Sequence, residues 1–125
     1  MIKPVKQAVL RAHSELIKRT GGVHGIRDEG LLDSALQLPF MTYYGYDPFP
    51  SVIIKAARLT YGLINNHAFI DGNKRIGILI MITFLEYNNI MVSTSNDELI
   101  ELGLNIANKV CDIDDIVRWI KRHRI

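Results

Sequence analysis

Nine residues, His67 to Arg75, bring together an imidazole, a carboxylate, a carboxamide, an ammonium and a guanidinium: His67, Asp71, Asn73, Lys74 and Arg75. Ile76 to Leu85 follow, apolar except for Gly77 and Thr83. That run reads as a helix hydrophobic all round, so the polar cluster falls where a loop enters a helix. The first N–H groups of a helix lack intrahelical partners, and the macrodipole adds roughly half a positive charge there, which makes Gly72 and Asn73 a natural seat for an anion. Gly72 lets the backbone approach a bound group closely. The Asn73 carboxamide can donate to one phosphate oxygen while its carbonyl fixes the loop. Lys74 adds a point charge and Arg75 a planar fork able to grip a phosphate twice.

Asp71 would repel a bare phosphate, and the simplest account of its presence is a Mg²⁺ ion bridging carboxylate and phosphate oxygens. His67 carries the side chain suited to taking a proton from a hydroxyl near neutral pH, so it is the candidate general base. Phe69 alternates with His67 and Asp71 and is expected to point into the core as an anchor for the loop. The set suits transfer of a phosphorus-containing group from a nucleotide to a protein hydroxyl, with His67, Asp71, Lys74 and Arg75 acting and Gly72 and Asn73 binding. Spacing alone leaves attack at a γ- or an α-phosphorus open.

The elements that must position this loop are helices. Pro4 suits a first turn, and Val5, Val9, Leu10, Leu16 and Ile17 form a stripe that stops at Gly21-Gly22. Asp28 can cap a short helix bearing Leu31, Leu32, Ala35, Leu36 and Leu38, closed by Pro39. Phe40 to Pro50 holds aromatics, two prolines and a glycine without helical period, a loop or short hairpin. Ser51 or Pro50 starts a helix through Val52, Ile53, Ala56, Leu59, Leu63 and Ile64 that ends near Asn65-Asn66. The helix after the loop spans about Asn73 to Tyr87 and closes at Asn88-Asn89. Ile90 to Val92 is an extended connector, Ser95 to Glu98 a capping box for a helix through Ala107, and Asp112 a cap for a last one, Ile113 to about Arg122. The expected architecture is one all-α domain over residues 1–125, a six-helix bundle.

At 125 residues the chain can bury about two-thirds of its unfolded surface without disulfides. Its longest apolar stretch is about half of a bilayer span, so no membrane segment is expected. The N-terminus lacks the apolar run of a secretory signal and Cys111 is the lone cysteine, which together point to a reducing cytoplasm. A net charge of +2, from 15 Lys and Arg against 13 Asp and Glu, is too weak to imply nucleic-acid binding. Other reactive side chains carry no such constellation. His13 belongs on a helix surface or satisfied in the core, His24 is loop punctuation, and His123 lies in a Lys121–Arg124 run that complements a helix dipole. Cys111 beside Asp112 reads as an inert thiol.

The loop His67-Ala68-Phe69-Ile70-Asp71-Gly72-Asn73-Lys74-Arg75 resembles that of the Fic/Doc (Fido) superfamily, whose Fic branch carries H-x-F-x-[DE]-G-N-G-R. Lys74 in place of the second glycine is similar to the Doc, or death-on-curing, branch of toxin–antitoxin modules. Gly21-Gly22, the stretch Gly25 to Leu36, and Ser95 to Leu99 look like the same branch, so the resemblance covers nearly the whole chain. It implies His67 as base, Asp71 as Mg²⁺ ligand, and Gly72, Asn73 and Arg75 around an anion hole. It further implies ATP as co-substrate. Fic-branch enzymes transfer AMP, whereas Doc toxins bind the nucleotide reversed and phosphorylate a threonine of elongation factor Tu. Lys74 favours the kinase; the alternatives are an AMP transferase and a non-catalytic partner-binding domain. The aromatic segment Tyr43 to Phe49 falls where relatives place a flap that docks the target. Thr94 to Glu98 has the spacing of the family's restraining glutamate motif, but Leu99 stands where glycine or asparagine is expected. Ser95 and Glu98 therefore read as a cap, with restraint coming from a separate, Phd-like antitoxin chain.

Overall fold

A computed structural model describes Met1–Ile125. Six α-helices follow one another: α1 (Lys6–Thr20), α2 (Glu29–Gln37), α3 (Val52–Asn65), α4 (Asn73–Tyr87), α5 (Asn96–Ala107) and α6 (Ile113–His123). The only extended pairings are isolated bridges, so the fold is all-α as the sequence patterning requires.

Helix starts are set by short polar side chains. Asp28 accepts from Leu31 N, Ser51 from Ile54 N, and reciprocal capping boxes join Ser95 to Glu98 and Asp112 to Asp115. Each such cap stabilises its helix by about 1 kcal/mol. Two boundaries differ from the sequence reading. Pro4 lies ahead of α1, whose N-cap is the extended Val5, so the proline sets the approach to the helix rather than its first turn. α2 ends at Gln37, ahead of Pro39 but one residue short of Leu38, and Pro39 lies in the single 3₁₀ turn that follows, Leu38–Phe40, which accommodates a proline near its start. Glu98 is a capping residue: its carboxylate takes Ser95 N at 3.1 Å and pairs with His123 Nε2 at 2.7 Å, joining α5 to α6.

α3 forms the centre, burying nine of its residues from Ile53 to Ile64, and α4 packs along it. They pack tightly at Gly77, where a Cβ would lie 2.6 Å from Ile64 Cγ1. α4 is not buried all round. Ile76, Ile80, Met81, Phe84 and Leu85 face the core while Leu79 stays exposed beside α1 and the N-terminal segment.

Between Phe40 and Pro50 the chain makes a tight reversal. Tyr43 and Tyr46 exchange two backbone hydrogen bonds of 2.8 Å, with Tyr44 and Gly45 both left-handed, the conformation of a two-residue hairpin turn. The buried Lys55 ammonium on α3 donates to both carboxylate oxygens of Asp47, at 2.9 and 2.8 Å, and to the Pro39 carbonyl at 3.0 Å. Lys55 thereby holds the Asp47 carboxyl below its ordinary range, with the Phe49 N–H adding to the effect. The hairpin is pinned at its base, and Tyr43, Tyr44 and Tyr46 at its tip are exposed.

Candidate active site

The loop between α3 and α4 is held by three different parts of the chain. Below it, Ala68 and Phe69 are buried, and the Phe69 ring stacks on the His13 imidazole of α1 with centroids 3.8 Å apart. His13 is itself buried, and its Nε2 lies 2.7 Å from the Asp71 carbonyl oxygen, where an N–H on that nitrogen donates. Beside it, the strand-like segment Gly25–Asp28 pairs with the loop: Arg27 N and Asp28 N donate to Ala68 O, and Ile70 N donates to Gly25 O. At its exit, the Asn73 carboxamide closes on Phe69, accepting from Phe69 N and donating to Phe69 O, each at 3.0 Å.

These contacts sort the residues picked out from the sequence. His67 is exposed and left-handed, with φ near +50°. Phe69 points into the core, as its alternation with His67 and Asp71 predicts. Asn73 fixes the loop with its carbonyl, as expected, and one N–H of its carboxamide also clamps Phe69 O, because these two backbone groups have no partner of their own in a turn this tight; the second N–H is left for an anion. Lys74 is exposed. Arg75 Nη1 donates to the Thr20 hydroxyl and, at 3.0 Å, to the Gly21 carbonyl, so this nitrogen ties α4 to the end of α1. Nη2 forms an ion pair with Asp71 Oδ1 at 3.5 Å, leaving Nε as the donor of the fork without a partner.

α4 lacks a side-chain cap. Its N-cap is Gly72 in the left-handed conformation, whereas α2, α3, α5 and α6 begin at a capping Asp or Ser. The first N–H groups of α4 are thus left for a bound anion, with Lys74 and Arg75 on the same turn. Gly72 needs its missing Cβ: its φ is +77°, and a side chain would meet Ile17 Cδ1 at 3.1 Å. Gly22, at φ +119°, presses on the loop from the other side, where a Cβ would lie 2.5 Å from Asp71 Oδ2.

The Asp71 carboxylate is partly exposed. Val23 N donates to Oδ2 at 3.1 Å and Gly72 N to Oδ1 at 2.8 Å, and these bonds, with the nearby Arg75, push its pKa below the ordinary carboxylate value. A single ionised carboxylate with lone pairs open to solvent fits a Mg²⁺ ion shared with substrate oxygens and waters. No group of three acidic, histidine or cysteine side chains could hold a metal by protein ligands alone.

Sequence reasoning missed four contributors: His13, Arg27, Gly22 and the backbone of Val23. His13 had a signal, since Val9, His13 and Ile17 fall at helical spacing on one stripe and all three are buried. The others act through backbone contacts across more than thirty residues, which no local pattern encodes. His24 is exposed and Cys111 has its pKa raised by burial and by Asp115 and Asp112, in keeping with an unreactive thiol. Two grooves lie away from the loop. One, of about 410 Å³, is apolar and runs between the N-terminal segment, α1 and α4; the other, about 300 Å³, is polar and lies between α5 and α6. The candidate residues gather instead at the start of α4, where Lys74 is exposed, Asp71, Asn73 and Arg75 are half-buried and Gly72 is buried, an arrangement that suits a phosphate bound by backbone N–H groups.

Residues 4–85 match the Fic/DOC family, a span that ends two residues short of the end of α4 and contains the whole loop. A protein of Mycolicibacterium smegmatis (strain ATCC 700084 / mc(2)155) named Toxin Doc is 40% identical over 98 residues, covering 77% of this chain and 75% of that protein. With the loop sequence, the helical architecture and these two matches in agreement, the chain belongs to the Fic/DOC family, in its Doc branch.

Proposed function

We propose that this chain is a Doc-like toxin of a toxin–antitoxin module, a cytoplasmic protein kinase that transfers the γ-phosphate of ATP to a threonine or serine hydroxyl of elongation factor Tu and so blocks translation. The observation that carries this reading is the uncapped start of α4, with Lys74 and Arg75 in its first turn and the ionised Asp71 immediately before it. Such an end binds and stabilises a phosphoryl group with no side-chain nucleophile required.

His67, exposed at the head of the loop, takes the proton of the target hydroxyl as the oxygen–phosphorus bond forms and the bond to the β-phosphate oxygen breaks, releasing ADP. The α4 N–H groups, the free Nε donor of Arg75 and the Lys74 ammonium hold the charge that develops on the transferred group. Asp71 would hold Mg²⁺, which would supply positive charge to offset the charge of the phosphates. Lys74 supports phosphate over AMP as the group transferred. A lysine side chain at this position would crowd the α-phosphate of an AMP donor, for which a second glycine would leave room. The exposed hairpin tip Tyr43–Tyr46 serves as the flap that docks the target. Restraint comes from a separate Phd-like antitoxin, since Glu98 is committed to Ser95 and His123.

Incubation with ATP, Mg²⁺ and elongation factor Tu, followed by intact mass measurement of the target, tests the reading. Gain of one phosphate is expected. Gain of AMP would make the chain an adenylyltransferase, and an unchanged target would point to a non-catalytic, partner-binding domain. His67→Ala should lower the transfer rate at least about a hundredfold. Lys74→Gly should weaken phosphorylation, and an undiminished phosphate product would remove the reason for choosing a kinase.

A further inference from the structure

We infer that Arg27 is a positioning residue for the transfer reaction, holding His67 in the left-handed backbone conformation that keeps its imidazole outside the core. The inference rests on the reading of His67 as general base.

A φ of +50° is disfavoured for any residue with a Cβ, and His67 sits at this value between the end of α3 and the buried pair Ala68 and Phe69. The reversal does the sorting: it sends Ala68 and Phe69 inward and leaves His67 exposed. Arg27 spans this point. Its Nε donates to the His67 carbonyl at 2.6 Å and its Nη2 to the Asn66 carbonyl at 3.2 Å. The backbone N–H groups of Arg27 and Asp28 take the next carbonyl, that of Ala68, at 2.7 and 3.0 Å. Three consecutive carbonyls around the candidate base are therefore occupied by one two-residue segment located some forty positions earlier.

The cation is well chosen for the task. Asn66 is the C-cap of α3, where unpaired carbonyls and the negative end of the dipole favour a guanidinium. Arg27 is exposed and forms no ion pair with any carboxylate, so the carbonyls are what orient its fork. A lysine presents its three donors from a single nitrogen, without the planar fork whose Nε and Nη2 reach the two carbonyls separately. Arg27 faces the backbone of the base, not the anion seat at α4, so its contribution should appear in the rate of transfer and not in nucleotide binding.

Two variants test this. Arg27→Met keeps the side-chain stem and removes every donor; Arg27→Lys keeps the charge but replaces the planar fork with a single ammonium. Arg27→Met should lose about tenfold to a hundredfold in kcat with KM for ATP nearly unchanged, the pattern of a misplaced group and not of a lost binding contact. Arg27→Lys should recover part of that loss, and the crystal structure of Arg27→Met should show His67 leaving positive φ. The proposal is overturned if Arg27→Met retains full kcat, if KM for ATP rises while kcat holds, or if His67 keeps φ near +50° in the variant. Should the unsubstituted chain transfer neither phosphate nor AMP, the proposed function fails on that result alone, and the His67 backbone in Arg27→Met still decides the role of Arg27.

Discussion

Asp71 shows how much of the loop between α3 and α4 is spent on holding itself together. Its carbonyl faces His13 of α1, and its two carboxylate oxygens accept backbone N–H groups from Val23 and Gly72. Val23 and Gly72 depress its pKa, so the folded state favours the ionised form more than the unfolded state does. For a depressed carboxyl, the stabilisation is present above the unfolded value and is lost as pH falls through the folded one. Asp71→Asn should therefore lower the urea midpoint near neutral pH, and the gap between the two proteins should narrow as pH drops through and below the ordinary carboxylate range. A gap that stayed constant with pH would place the effect in sterics instead. At this scale the sequence made the chemical identities legible, because an imidazole, a carboxylate and two cations in nine positions admit few readings. It could not reveal that Asn73 would be committed to Phe69 or Arg75 to Gly21, since both depend on where the chain turns in three dimensions.

Among the elements, helix ends were the most readable features. Asp28, Ser51, Ser95 and Asp112 all cap the helices they precede, since capping is a contact between residues three apart in sequence. Helix faces were harder. Gly77 in α4 looks like a defect, because glycine costs about 1 kcal/mol relative to alanine inside a helix. Its reason is tertiary: α3 passes so close that a Cβ would overlap Ile64. Gly77→Ala should therefore destabilise the protein by about 1–3 kcal/mol through overpacking, outweighing the gain in helix propensity. Denaturant titration reads the sign, and a stabilised variant would mean that Ile64 can move aside.

All six helices contribute to one contiguous core, with Val9, Leu32, Leu59, Ile76, Leu102 and Ile116 drawn from α1 to α6 in turn. No helix is long and apolar enough to cross a membrane. The termini are tied in as well: Ser93 N bonds to His123 O and Ile125 N to Met91 O, so the segment after α4 pairs with the end of α6. A molecule wired in this way should unfold as one unit. Trp119, buried on α6 and stacked on His123, offers a local probe, and its fluorescence midpoint in urea should coincide with that of far-ultraviolet circular dichroism. Separate midpoints would divide the chain into more than one cooperative unit, with α5 and α6, which lie beyond the family match, the natural candidates.

By itself the sequence determined the helical periods, the caps, the family loop and the chemical groups in it, because each is written in residues a few positions apart. Only the tertiary structure decided what holds that loop: His13 beneath it, Gly22 and Val23 against Asp71, and Arg27 across the carbonyls of Asn66 and His67. These contacts join positions from 39 to 58 residues apart. They exist because a buried core brings α1 and the Gly25–Asp28 segment up against the turn, and nothing in local spacing carries that information.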